Sequence, residues 1–149
     1  MRRMSRAAIA AGTVVFGAVT STALRAAAAD AVDPCSLLRP DKVAAALGVP
    51  EVKTPGGTNR CVWVPKKYAP GSKSVTIQLM DEKGFAAQRK RLDVVPVNGI
   101  GDEAVQTTRI PVLTVKKGTV YFALSVAGLA AEEAKAAEQS LARQIVSTL

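Results

Sequence analysis

The sequence predicts an exported α+β protein: a single small domain with an antiparallel sheet, helices packed on it and one disulfide. Three observations lead to this prediction, namely an apolar N-terminal leader, segments in which apolar and polar residues alternate, and an amphipathic C-terminal segment. Short connections between strands favour antiparallel pairing, and helices that cover one face of such a sheet give an α+β domain.

Residues 1–29 have the pattern of a secretory signal peptide. Three arginines precede an apolar run over 7–19, and small residues follow that run. Cleavage after Ala29 makes Asp30 the preferred first residue, and cleavage after Ala31 is the alternative. Extended to Leu24, the apolar run would lie at the lower edge of spanning length, but glycine, serine and threonine dilute it and Arg25 ends it. We therefore predict cleavage, and a secreted, periplasmic or cell-envelope location.

Residues 30–149 are predicted to form one mildly basic domain. The chain has 20 Lys and Arg residues against 12 Asp and Glu, and four of the arginines lie in the leader. A segment of this length can build one hydrophobic core. No stretch after the leader has the length and hydrophobicity of a transmembrane segment, so we expect no membrane span in residues 30–149. We also expect a monomer.

The only cysteines, Cys35 and Cys61, predict a disulfide, because an exported chain folds in an oxidising compartment. Their spacing differs from the Cys-x-x-Cys of a redox pair. The chain contains no His, and two cysteines alone do not make a zinc site. We therefore predict a structural bridge and no metal.

The first half of the domain begins with a predicted helix. Pro40 suits a first helical position and Gly48 a helix end, so residues 42–47 are predicted to be helical. A loop over 54–59, rich in proline and glycine, leads to a strand at 61–64.

The next elements are a strand and a helix. Apolar and mostly polar residues alternate over 75–80, which predicts a strand in a sheet covered on one side. In the charged segment 82–92, Phe85 and Leu92 lie seven residues apart on one helical face, which predicts a helix. Residues 94–104 are predicted to be irregular.

The last third predicts a hairpin followed by a helix. Strand patterns at 112–116 and 119–126 flank Gly118, which suits a tight turn. From Ala130 to the C-terminus, apolar residues recur at helical spacing opposite charged ones. This pattern predicts an amphipathic helix that packs on the sheet.

Residues 99–104 match the dinucleotide-binding pattern Gly-x-Gly-x-x-Ala. That pattern binds a pyrophosphate only between a parallel strand and the N-terminus of a helix. Asp102 and Glu103 would repel the anion, and residues 105–111 predict entry into a strand. We therefore predict no cofactor and interpret the segment as a turn with locally paired acids.

Asp102 and Glu103 also form the candidate acidic pair of a small hydrolase or lyase, since carboxylates can divide acid and base roles. Neighbouring residues in extended backbone point to opposite sides, which argues against convergence on one substrate. Because His is absent, Ser-His and Cys-His nucleophile arrangements are excluded. No catalytic residue is assigned.

Three basic clusters, at 66–67, 89–91 and 116–117, are open to two interpretations. They are either solvated strand ends that discourage edge pairing or a patch that attracts anions. Interleaved aromatic platforms are lacking, so we predict no nucleic-acid partner. The candidate binding residues are Trp63, Tyr68, Tyr121, Thr76, Gln78, Arg89, Lys90 and Arg91.

Trp63 shares a strand face with Cys61 and is expected to pack over the disulfide, with a position in a ligand groove as the alternative. Tyr68 and Tyr121 are expected to be more exposed. Thr76 and Gln78 are expected on the Tyr121 face of the sheet.

Several motifs of the chain occur together. They are Asp33-Pro34-Cys35-Ser36-Leu37-Leu38, Ala46-Leu47-Gly48, Cys61-Val62-Trp63, Gly101-Asp102-Glu103-Ala104 and the closing helix. In this combination the chain resembles the small secreted proteins and lipoproteins of actinobacteria, mostly domains of unknown function with one cysteine pair. The resemblance covers nearly all of residues 30–149 and implies export, the disulfide and an α+β fold, without an activity. This chain lacks a lipobox, and Arg39 replaces the capping Ser or Thr that usually precedes proline.

These observations favour a non-enzymatic binding module of the cell envelope or extracellular space. Its partner would be an envelope protein, a lipid or an anionic wall polymer, bound through the exposed face or rim of the sheet. One alternative is the hydrolase or lyase that uses Asp102 or Glu103. Another is a secreted protein inhibitor that makes contact through the loop at 66–72.

Overall fold

Three helices and seven strands make up the described part of the chain. The computed structural model describes residues 32–67 and 69–149, so the predicted leader lies outside it. The helices are α1 (Pro40–Leu47), α2 (Glu82–Arg89) and α3 (Ala131–Val146). The strands are β1 (Val52–Lys53), β2 (Arg60–Pro65), β3 (Ser74–Met80), β4 (Val94–Pro96), β5 (Glu103–Thr107), β6 (Leu113–Lys117) and β7 (Val120–Ala127).

The seven strands form one sheet in the order β1-β2-β3-β7-β6-β5-β4, and each neighbouring pair is antiparallel. Directly paired residues share a face of a sheet, so the register shows which side chains lie together. Ile77 of β3 pairs with both Cys61 of β2 and Leu124 of β7. This inner face is apolar, and it is the face on which α1 and α3 pack. The predicted α+β fold is confirmed.

The core lies between the inner face of the sheet and these two helices. Every second residue of β3 and β7 points into it, as the alternation of these strands predicts. The apolar face of α3 closes it from above. The fully buried members include Val43, Leu47, Cys61, Trp63, Val75, Ile77, Leu113, Val115, Phe122, Leu124, Leu141 and Ile145.

The Cys35–Cys61 disulfide is present and joins the segment before α1 to strand β2. Helix α1 ends at Gly48, whose φ of 64° is a left-handed conformation that glycine adopts without steric cost. The N–H groups of Gly48 and Val49 bond back to carbonyls of the last turn of α1. The N-terminal segment is thereby attached covalently and by packing to the inner face.

The outer face of the sheet is covered in part by α2. The Asp81 side chain accepts a hydrogen bond from the Gly84 N–H at 2.7 Å and so caps the N-terminus of this helix. Phe85 is buried against the sheet, with its ring centre 5.7 Å from that of Tyr121. Helix α2 ends at Arg89, three residues before the predicted end at Leu92.

Residues 94–104, predicted to be irregular, contain β4 and the start of β5. Strand β4 has three residues and ends in a proline, so it carries no usable alternation. Strand β5 is buried on both faces apart from Glu103, and its buried residues include the polar Gln106 and Thr107, so its sequence shows no alternation of apolar and polar residues. Strand β1 has two residues and was not predicted. No helix within the described ranges is long and apolar enough to cross a membrane.

Candidate functional site

Asp102 and Glu103 are held in two separate contacts. The Asp102 carboxylate accepts a hydrogen bond from the Gly118 N–H at 2.7 Å and lies 3.5 Å from the Lys117 ammonium. The Gly118 bond, followed by the charge of Lys117, holds the pKa of Asp102 below its usual value. Glu103 faces Arg89 at 3.2 Å instead. The two carboxylates therefore contribute to local structure at different places and do not converge.

The glycine segment at 99–104 forms a turn that leads into β5. Gly101 has a φ of 63°, and a Cβ atom there would lie 2.4 Å from the carbonyl oxygen of Lys116. The Asp102 N–H donates to the same oxygen at 2.8 Å. The segment thus continues into an antiparallel strand, whereas a dinucleotide motif continues into a helix.

Thr76, Gln78 and Tyr121 share the outer face, as the strand alternation predicts. Phe85 covers Tyr121, which is half-buried, and the Lys116 ammonium lies 5.8 Å from the tyrosine ring centre. Thr76 and Gln78 instead line a shallow depression of about 240 Å³. These three side chains therefore do not form one pocket.

Trp63 is fully buried in the core, so no part of its side chain is accessible to a ligand. This corrects the prediction that Trp63 contributes to a binding surface. Trp63 lies on the same face of β2 as Cys61, and that face packs in the core. Its indole N–H has no hydrogen-bond partner within the described residues. Tyr68 lies outside the described residues.

Most of the basic loop residues gather at one end of the sheet. Ala127 pairs with Ser74 and Leu124 with Leu113, so β7 ends where β3 and β6 begin. The antiparallel order extends this relation across all seven strands. We call this end of the sheet the loop end. Its connections are residues 48–51, 66–67 with 69–73, 90–93, 108–112 and 128–130.

The loop end carries an excess of positive charge. Its described connections contain six cations against two carboxylates. The connections at the opposite end contain Asp81 and Asp102 and no cation, but the strand and helix ends beside them carry Arg60, Lys83, Lys116 and Lys117. The first turn of α3 adds Glu133 and Glu132, of which the latter pairs with Lys135. The cations are Lys66, Lys67, Lys73, Lys90, Arg91 and Arg109, and the carboxylates are Glu51 and Asp93.

Several of these charges are fixed in place. Arg91 makes two hydrogen bonds of 2.8 Å to the Asp93 carboxylate. This fork lowers the pKa of Asp93, and the charge of Arg109 lowers it further. Arg91, Asp93 and Arg109 line the same depression. The Lys73 ammonium donates to the Leu47 carbonyl at 2.9 Å, where it complements the C-terminal end of α1.

A cleft of about 620 Å³ opens at the loop end between the connections that follow α1, β2 and β7. Its apolar lining comes from Val49, Pro50 and Pro65. Its charged lining consists of Lys67, Lys73 and the paired Lys66 and Glu51. The volume is in the range of small-molecule sites. Lysine side chains around an apolar floor are suited to an anion with an apolar part.

Glu138 of α3 is a buried carboxylate on the inner face, with 0% of its surface exposed. One oxygen accepts from the Val126 N–H at 3.0 Å and the other from the Gln106 amide at 2.6 Å. Burial raises the pKa of Glu138, and the two hydrogen bonds offset part of that rise. The arrangement joins α3 to β5 and β7.

Of the predicted binding residues, Arg89 pairs with Glu103, while Lys90 and Arg91 lie at the loop end. Sequence reasoning missed Leu92 and Ile110, which are 106% and 79% exposed. A detectable signal was present, because each is a large aliphatic residue that directly follows an arginine in a connection between elements. Leu92 was misread as part of the buried face of α2.

The described residues contain no group of three His, Cys, Asp or Glu side chains placed to hold a metal ion. No protein-family model, curated protein or solved structure matches this chain.

Proposed function

We propose that this domain is a non-enzymatic module of the cell envelope or extracellular space that binds an anionic surface through its loop end. The observation that carries the proposal is the charge distribution, with six cations and two carboxylates in the connections of this end. Such an asymmetry produces a local field that attracts phosphate-bearing partners. Lipid headgroups and anionic wall polymers present the same phosphodiester chemistry.

The geometry of the charged groups supports this role over catalysis. Lys67, Lys90 and Arg109 are exposed, and they come from three different connections at the same end of the sheet. A surface that presents several cations from a rigid scaffold is suited to an extended anion. Asp102 and Glu103, the acidic pair of the enzyme alternative, are occupied by Gly118 and Arg89.

The experiment compares charge reversal at the two ends of the sheet. The loop-end variant carries Lys67→Glu and Lys90→Glu. The control variant carries Arg60→Glu and Lys83→Glu, which make the same change in net charge at the opposite end. Binding is measured by sedimentation with phosphatidylglycerol vesicles and with immobilised poly(glycerol phosphate).

We expect the loop-end variant to bind at least one probe about thirtyfold or more weakly, since each cation near an anionic membrane contributes about 1 kcal/mol. The control variant should bind within about threefold of the wild-type protein, because its substitutions lie outside the contact. Equal losses in both variants, or no binding of the wild-type protein to either probe, would overturn the proposal.

A further inference from the structure

Two large aliphatic side chains project from the loop end. Leu92 has a relative exposure of 106%, which means that it is as open to solvent as in an isolated peptide, and Ile110 is 79% exposed. The other exposed large aliphatic residues of the described chain are Val95 and Leu149, at 46% and 44%. Single exposed aliphatic residues are common on protein surfaces, but two that are almost fully exposed in neighbouring loops are unusual.

The two loops are held together by hydrogen bonds. The Thr108 N–H and hydroxyl both donate to the Asp93 carbonyl, at 2.8 and 3.2 Å. The Thr107 hydroxyl donates to the Ile110 carbonyl and accepts from the Val112 N–H at 2.9 Å. Leu92 and Ile110 are therefore presented by a preorganised pair of loops, and exposing them is a property of the fold.

Cations neighbour both aliphatic residues in the chain. Lys90 and Arg91 precede Leu92, and Arg109 precedes Ile110. Asp93 follows Leu92 and pairs with Arg91, so Lys90 and Arg109 are the cations available to a partner. A hydrated polymer offers charge but no apolar phase, whereas an anionic bilayer offers phosphates at its surface and hydrocarbon beneath them. Aliphatic tips next to cations in the chain match the bilayer on both counts.

We propose that the loop end docks on an anionic lipid bilayer, with Leu92 and Ile110 inserted below the headgroups and Lys90 and Arg109 at the phosphates. The proposal rests on the proposed function and adds the kind of surface that is bound. Aliphatic insertion contributes apolar burial that charge alone does not supply.

The test separates insertion from charge. The double variant with Leu92→Ser and Ile110→Ser keeps every cation and loses both aliphatic groups. The control variant, Leu149→Ser, loses an exposed aliphatic residue elsewhere. We expect the double variant to bind phosphatidylglycerol vesicles thirtyfold to a hundredfold more weakly, roughly, while the control is unchanged. Far-ultraviolet circular dichroism verifies that each variant is folded.

A second measurement detects insertion directly. Leu92→Trp places an indole at the tip, and lipids brominated on the acyl chain quench an indole that reaches them. We expect quenching in phosphatidylglycerol vesicles and none in phosphatidylcholine vesicles. The native Trp63 is fully buried, so it serves as an unquenched background in the wild-type protein.

The outcomes distinguish this inference from the proposed function. If the Ser variant binds vesicles as well as the wild-type protein and no quenching occurs, while loop-end charge reversal still weakens binding, insertion is overturned and the anionic-surface role stands. Binding to poly(glycerol phosphate) but not to vesicles has the same meaning. If the wild-type protein binds neither probe, both proposals fail.

Discussion

At the residue scale, Glu138 has a structural explanation. Strand β6 begins at Leu113, opposite Leu124, so β6 contains no residue that pairs with Val126. The Val126 N–H would then be buried without an acceptor, which costs about 1 to 3 kcal/mol. Glu138 supplies that acceptor from α3. The carboxylate therefore completes the sheet where β6 is too short.

The pKa of Glu138 predicts how stability varies with pH. The unfolded chain releases this proton near the ordinary glutamate value of about 4.3, whereas the folded domain releases it at a higher pH because burial disfavours the charge. Between those two values the unfolded state binds fewer protons than the folded state. Stability contributed by the protonated group is thus present below about pH 4 and is lost as the pH rises through the folded-state pKa.

Glu138→Gln should keep an acceptor for the Val126 N–H and remove the loss of stability that accompanies a rise in pH. The buried Gln106 oxygen has no partner within the described residues, and rotation of the Gln106 amide would let it accept from the introduced amide. We expect the free energy of unfolding of the variant, relative to wild type, to increase between about pH 4 and pH 7. Urea titrations at several pH values measure it, and a difference independent of pH would contradict the assignment.

Glu138→Leu provides the matched control for that series. It removes the charge and also the acceptor, so the Val126 N–H stays buried and unpaired. We expect it to be destabilised by about 1 to 3 kcal/mol relative to Glu138→Gln at every pH.

At the scale of elements, α3 begins without a side-chain cap. Ala130 occupies the N-cap position in extended backbone, with a φ of −61° and a ψ of 151°, and Glu133 lies at the third helical position. A serine at 130 would accept from the N–H of residue 133, and Glu133 could bond back to the N–H of residue 130. Helix α3 has the glutamate of a capping box and lacks its serine or threonine.

We therefore expect Ala130→Ser to stabilise the domain by about 1 kcal/mol. The measurement is the midpoint of urea unfolding at an unchanged slope. Adding Glu133→Ala should remove part of the gain, because it deletes the reciprocal bond. A midpoint that does not rise in the single variant would show that α3 is limited by packing and not by its first turn.

Elements with strong local patterns were predictable from the sequence. The β3 alternation, the hairpin at Gly118 and the end of α1 at Gly48 depend on neighbours in the chain, and they were confirmed. Strands β4 and β5 were not predicted, because their burial depends on α3 and on each other. The Cys35–Cys61 bridge was predicted from the cysteine count and the export signal, and it is also confirmed.

Loops were the least predictable part of the candidate site. Sequence analysis identified Lys90 and Arg91 but interpreted Leu92 as a buried helix position. Helix α2 ends at Arg89, so Leu92 falls in the connection and points away from the core. Whether basic clusters act together depends on strand order. The register places residues 66–67 and 90–91 at one end of the sheet and residues 116–117 at the other.

At the scale of the whole molecule, attraction by charge and insertion of aliphatic groups respond differently to salt. Screening shortens the range of electrostatic attraction from about 10 Å at 0.1 M salt to about 3 Å at 1 M. Apolar burial is not weakened by such screening. The loop end contains both kinds of group, so its two contributions can be separated by ionic strength.

We expect the affinity of the wild-type protein for phosphatidylglycerol vesicles to fall as NaCl rises from 0.1 to 1 M and then to level off above background. The affinity of the variant with Leu92→Ser and Ile110→Ser should fall to background over the same range, because only charge attraction remains. The affinity of the variant with Lys67→Glu and Lys90→Glu should be lower at 0.1 M NaCl and should vary less with salt. Sedimentation at each salt concentration measures all three. If the wild-type protein and the Ser variant lose binding along the same curve, the aliphatic side chains do not enter the bilayer.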